Sequence, residues 1–245
     1  MRSPNHAAIP GAPGAMRGLS GLFWVLVLAF GRMPVYQSKS GAVDEPQLAK
    51  IQIGRDIRVE NQPVLWILQD VLRGTGVSGG FAEMAGCSDL PKGSLDSKQG
   101  TTVLEAMDAL VAANPSYQWQ LRDGVVDLIP WAGVPLLDLR IARFQMDATD
   151  DEIPIVFQNL LRQPEVRVRE TQLGLRPALH QGGPGVVDEQ PVPRRPVSIH
   201  IHLRNLSLQD AFNKIVRTSS NVIWMYRETD CNGNRTYTVE VTSDY

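Results

Sequence analysis

The sequence predicts an α+β fold: two tandem small domains assembled from repeated strand–helix–strand(–strand) modules. Three observations point there: an alternating strand at 197–204, two helices with the same apolar stripe, and a hairpin signal after each helix. Val197, Ile199, Ile201 and Leu203 alternate with polar neighbours, the pattern of a strand with one buried face. Asn205-Leu206 turns the chain, and Ser207 caps the next helix, with Asp210 three residues on as an acidic variant of the capping box. Leu208, Ala211, Phe212, Ile215 and Val216 then recur at i, i+3, i+4, i+7 and i+8, one apolar stripe. Asn221 offers a left-handed stop, 222–227 begins another strand, and Asn232-Gly233-Asn234 closes a hairpin into 236–241.

The same plan occurs earlier in the chain. Thr102 and Glu105 form a capping box, and Val103, Ala106, Met107, Leu110 and Val111 repeat the stripe spacing. Asn114-Pro115 ends that helix; Tyr117, Trp119 and Leu121 alternate, Asp123-Gly124 turns, and 125–129 returns. Segments 93–130 and 196–241 therefore read as two copies of one module. Each follows a looser strand–helix–strand. In the first half, 57–60 leads to a helix with stripe Leu65, Leu68, Val71 and Leu72, ended by Gly74 and Gly76 before a strand over 77–84. In the second, 136–146 is extended, Thr149 caps, and Ile153, Val156, Phe157, Leu160 and Leu161 form the stripe. Pro164 stops that helix, and Val166-Arg167-Val168-Arg169 alternates as a strand. Repetition at this scale outweighs any single element.

The ends and linkers differ in composition. From Leu22 to Phe30 every residue is apolar, with Arg17 upstream. That span has the length of a signal-peptide core and falls short of the ~20 residues of a membrane-crossing helix. Residues 1–31 are expected to be a signal peptide directing export to the periplasm, with an uncleaved inner-membrane anchor as the alternative. Residues 32–50 read as a flexible N-terminus, 51–131 as the first domain and 135–245 as the second. A Pro/Gly-rich mobile loop is expected at 174–196, which includes Gly182-Gly183-Pro184-Gly185. The 24 basic and 26 acidic residues nearly cancel, so no nucleic-acid or anionic-membrane partner is expected. Cys87 and Cys231 are an even number in an exported chain, and one disulfide stapling the halves is permitted.

The stretch Val197-Ser198-Ile199-His200-Ile201-His202-Leu203-Arg204-Asn205-Leu206-Ser207-Leu208-Gln209-Asp210-Ala211-Phe212 resembles the short N-terminal (STN) domain of secretins and TonB-dependent receptors. Ile215 to Ile223 is similar to that family's helix end and second strand, and Trp119 to Ile129 to its closing hairpin. The likeness covers about two fifths of the chain, in residues that are mostly structural. It implies a non-catalytic periplasmic α+β module that binds partner proteins in a cell-envelope complex, such as one at the outer membrane. The larger family members continue into a pore or barrel. No long run of amphipathic strands follows Val241, so a stand-alone periplasmic protein is expected.

Sites of chemistry are few. His200 and His202 lie two apart on a strand, hence on one face, and could supply two zinc or copper ligands. His180 and Asp188 stand in the adjacent loop. A metal- or small-ligand-binding periplasmic protein is thus the competing function. There is no Gly-x-Ser-x-Gly, His-Glu-x-x-His or phosphate loop; no catalytic residue is assigned, no cofactor is expected, and no small-molecule substrate is identified. Trp66, Trp119 and Trp224 read as core or strand-face aromatics. Trp131, after a strand and between Pro130 and Ala132, could anchor a partner or pack between domains. Arg167 and Arg169 would flank an exposed strand edge where a partner strand could add.

Overall fold

The capped helices and tight hairpins foreseen above organise the chain around one sheet. The computed structural model describes residues 45–87, 90–178, 197–219 and 221–243. The expected signal segment 1–31, the stretch 32–44, and 179–196 with His180 and Asp188 lie outside the described residues. The first half runs α1 (Glu45–Leu48), β1 (Ile57–Pro63), α2 (Val64–Leu72), β2 (Ser78–Ala85), β3 (Lys92–Ser97), α3 (Val103–Ala113), β4 (Tyr117–Arg122) and β5 (Val125–Pro130). The second runs β6 (Arg140–Thr149), α4 (Ile153–Leu161), α5 (Pro164–Leu173), β7 (Leu175–Pro177), β8 (Ser198–Ser207), α6 (Leu208–Val216), β9 (Val222–Cys231) and β10 (Asn234–Ser243). The fold is α+β.

Local chemistry fixes the ends of these elements. Glu105 N–H donates to Thr102 Oγ1 at 3.2 Å and Thr102 N–H donates back to the Glu105 carboxylate at 2.9 Å, a complete capping box on α3. On α6, Asp210 N–H donates to Ser207 Oγ at 3.0 Å. Asp123-Gly124 and Asn232-Gly233 all have positive φ, as the two-residue turns joining β4 to β5 and β9 to β10 require.

The pairing is the same in both halves. β1 pairs antiparallel with β3, and β6 with β8. In the first half β4 is antiparallel to β5, which is parallel to β2; in the second, β9 is antiparallel to β10, which is parallel to β7. The two three-strand sets do not remain separate sheets. β2 pairs in parallel with β9, giving one six-stranded sheet of order β4-β5-β2-β9-β10-β7.

Each face of that sheet carries its own core. Phe81, Val126, Leu128 and Ile223 pack with Leu68 and Leu72 of α2 and Met107 and Leu110 of α3. Ala82, Val125, Ile129, Trp224 and Tyr226, on the opposite face by strand alternation, pack with Val156 and Leu160 of α4 and Phe212 and Ile215 of α6. The helices of each half thus bury strands of both halves. At the seam Gly80 is held by space: a Cβ there would lie 2.4 Å from the Trp224 ring and 2.2 Å from Asp127 Oδ1. Only hydrogen fits.

Four sequence expectations change. Residues 166–169 are not a strand but part of α5: Pro164 sits in its first turn and Gly174, with φ 65°, caps its end. The Val/Arg alternation would have put Val166 and Val168 on one side, yet Val166 is fully buried while Val168 is 57% exposed. A helix places Val166 with Glu170 instead, and both are buried. Pro164 therefore starts a helix as well as following one. The 136–146 segment becomes strand only from Arg140. Residues 174–177 of the expected loop form a helix cap and β7. Within 32–50, Glu45–Leu48 is helical and Leu48 is completely buried, because its side chain joins the α2–α3 core.

Candidate functional site

β4 is one outer strand of the six-stranded sheet, with no strand beyond it among the described residues, and it combines that backbone edge with a concave polar face. Its inner neighbour β5 follows after a two-residue turn, with Arg122 opposite Val125 and Gln120 opposite Asp127. In such hairpins the residues flanking the turn exchange hydrogen bonds and every second pair does likewise. The backbone groups of Trp119 and Leu121 therefore point outward, away from β5. Tyr117, Trp119 and Leu121 pack toward α3, and Trp119 Nε1–H donates to Asp108 on that helix at 2.8 Å.

The alternate residues Gln118, Gln120 and Arg122 face a recess of about 180 Å³ that Val134, Leu137, Asp138 and Gln209 close. Arg122 Nη1 donates to Gln209 Oε1 at 3.4 Å and lies 3.5 Å from Asp210 Oδ1. Gln209 Nε2 donates at 2.7 Å to Asp127 Oδ2, which also accepts from Asn213 Nδ2 at 2.7 Å. Asn213 Oδ1 in turn accepts from the buried Trp224 indole. Burial pushes the Asp127 carboxyl up to about 7; the Asn213 and Gln209 hydrogen bonds and the nearby Arg122 pull the other way without cancelling it. Gln120 Nε2 and Asp127 Oδ1 are buried with no protein partner among the described residues. Of these two, Gln120 lines the recess and gives it hydrogen-bonding capacity to spare, while Asp127 Oδ1 lies beside Gly80.

Trp131 stands at the start of this edge. Its backbone N–H donates to the Ser116 carbonyl at 3.0 Å, extending the hairpin pairing, and its side chain is 65% exposed. It projects to solvent rather than packing between halves.

The other predicted partner residues do not join it. Arg167 and Arg169 belong to α5, which leads into β7 at the far edge of the sheet. Arg167 Nη1 donates to Glu170 at 3.0 Å, and Glu170 also accepts from the Tyr237 hydroxyl. Arg169 Nη1 donates to Gln172 at 3.4 Å. Arg167 thus serves to neutralise a buried carboxylate; neither arginine flanks a strand edge.

His200 and His202 do share the solvent face of β8, opposite Asp147 and Gln145 of β6. His200 Nδ1 and Asp147 Oδ1 are 2.8 Å apart. Among the described residues no group of three or more His, Cys, Asp or Glu converges as a metal site would. Cys87 and Cys231 meet at the end of the β2–β9 seam, where the Cys87 thiol is 3.7 Å from the Asp230 carbonyl. Trp66, read above as a core or strand-face aromatic, is 55% exposed on α2. No helix among the described residues is long and apolar enough to cross a membrane.

Sequence reasoning missed Asp127, Gln209 and Asn213. The available signal was an acid at the centre of Val125-Val126-Asp127-Leu128-Ile129, where a strand buried on both faces has no place for an unpartnered carboxylate. No family model matches the chain, and no curated protein or solved structure matches it.

Proposed function

We propose that this chain is an exported, non-catalytic protein-interaction module of the secretin and TonB-dependent receptor short N-terminal type, carried twice in tandem and docking in a periplasmic cell-envelope complex. The observation that carries the reading is the repeated pairing order. Each half sets a two-stranded antiparallel sheet and a three-strand set, antiparallel then parallel, around a pair of apolar-striped helices. In the second half this frame includes the 197–223 stretch that resembles the family. The docking surface is the β4 edge: outward backbone groups at Trp119 and Leu121 accept a partner strand, and Trp131 supplies an exposed aromatic anchor beside it.

Affinity capture from envelope fractions with the full-length protein tests this. Wild type recovers a specific membrane complex. Trp131→Ala lowers recovery by about tenfold or more with an unchanged melting temperature, since the indole is exposed. Leu121→Pro, which deletes an outward N–H without removing a ladder bond, does the same. Equal recovery by both variants sinks the β4 site, and failure to retain any envelope protein sinks the docking function itself. The competing reading is a periplasmic small-ligand protein. It draws on the recess and its unpartnered Gln120 amide, and is favoured if a small polar ligand raises the melting temperature while no protein is captured.

A further inference from the structure

We infer that Cys87 and Cys231 form a disulfide that locks the parallel seam between the two halves. The pair is set by register. β2 and β9 run in parallel from Gly79 opposite Ile223 to Ala85 opposite Thr229, and two further residues in the same register bring Cys87 opposite Cys231. Parallel neighbours lie about 4.8 Å apart, within the 4.4–6.8 Å Cα separation that disulfides span. The contact is already close: the Cys87 thiol reaches the carbonyl of Asp230, the residue before Cys231, at 3.7 Å. Both sulfurs are free thiols in the structure.

Each cysteine is held by its surroundings. Cys231 ends β9 just before the Asn232-Gly233 turn, whose Gly233 N–H donates to Asp230 Oδ1 at 3.0 Å. Cys87 follows Ala85-Gly86 at the end of β2 and is exposed, whereas Cys231 is half-buried. The interaction with Cys87, then burial, then the Asp230 charge push the Cys231 thiol up to about 11. The order of reaction follows from the difference in exposure. The Cys87 thiolate, after losing its proton to solvent, attacks a disulfide donor such as oxidised glutathione or a thiol oxidoreductase, forming a mixed disulfide and releasing one donor thiol. The Cys231 sulfur then attacks the Cys87 sulfur of that mixed disulfide, its proton leaving with the second donor thiol. Two protein thiols lose two protons and two electrons, and the donor's disulfide is reduced to two thiols.

The bridge would close a loop spanning most of both halves, a separation of 144 positions between the two paired strands' residues, so its effect on the unfolded chain is near the upper end for disulfides. It would also tie β2 to β9 where the ladder runs out, which makes it a clamp on the seam rather than on either half alone.

Purified full-length protein, folded and equilibrated in a glutathione redox buffer, tests the inference. Expected results are an intact mass lighter by two hydrogen atoms, no thiol open to maleimide after denaturation, and a melting temperature that falls by about 10 °C on reduction. Cys87→Ser and Cys231→Ser should each melt with the reduced wild type and show no redox dependence. The inference is overturned if both thiols remain alkylatable in the oxidising buffer while the protein stays folded. It is equally overturned if oxidation yields only dimers on non-reducing gels. These readouts need no envelope partner, so they stand or fall separately from the docking function.

Discussion

β2 and β7 occupy equivalent places in the two halves, each parallel to the last strand of its own hairpin, yet they are built very differently. β2 has eight residues, Ser78-Gly79-Gly80-Phe81-Ala82-Glu83-Met84-Ala85, the first six of them buried. β7 has three, Leu175-Arg176-Pro177, with only Leu175 buried. The difference comes from their neighbours. β2 is flanked by β5 and β9 and covered on both faces, so it needs glycines where helices and rings approach, and a paired charge where an acid remains. β7 has β10 on one side and no strand beyond it among the described residues, and Pro177 withholds the N–H that a further strand would use. Position in the sheet, more than place within its own half, dictates composition.

The comparison can be broken most sharply at the charge in β2. Glu83 is buried, its carboxyl raised by desolvation and restrained only by Arg227, the residue directly across the seam on β9. Arg227→Ala should cost about 3 kcal/mol, the effect of stranding a buried carboxylate, as urea unfolding at pH 7 would show. A loss below about 0.5 kcal/mol would mean that the seam ion pair is no more than a surface contact. Asp127, in β5 beside β2, gives a pH-dependent test. Its native pKa near 7 lies above the ordinary Asp value of 3.8, so between these limits the folded state holds a proton that the unfolded chain has lost. Stability should therefore fall as pH rises from about 4 to about 7 and level off above. Asp127→Asn, a match for the protonated form, should remove that slope and gain about 4 kcal/mol at pH 8; an unchanged pH profile would refute the assignment. The smallest contrast sets Gly80→Ala against Arg176→Ala. The added methyl in β2 should cost about 2 kcal/mol through overpacking, while the exposed edge substitution stays within about 0.5 kcal/mol. Comparable losses at both positions would erase the distinction between the strands.

Much of the frame was legible in the residues. Period-two strands, helix stripes, the Thr102 and Ser207 caps and both hairpin turns are local devices, and local chemistry announces them. The seam was not legible, because parallel pairing between distant strands leaves no short-range mark and Ser78-Gly79-Gly80-Phe81 lacks alternation. α5 was misread because four residues of Val/Arg alternation satisfy a strand, whereas its helix is stabilised by a distant group, the Tyr237 hydroxyl on Glu170. Of the candidate site, Trp131 was found from its place after a strand between Pro130 and Ala132. Asp127, Gln209 and Asn213 were hidden because their meeting depends on α6 of the second half lying over β5 of the first.

The truncated β7 bears on how copies of the molecule behave toward one another. The joint between β2 and β9 is head-to-tail: it unites two unlike margins, and by the correspondence of the halves their counterparts are β7 and β4. A chain whose margins are complementary in this way carries the instructions for an endless polymer, each molecule extending the sheet of the last. With only three residues and a proline at one terminus, that growth has no template to start from. The β4 margin, six residues without a proline, carries no such block.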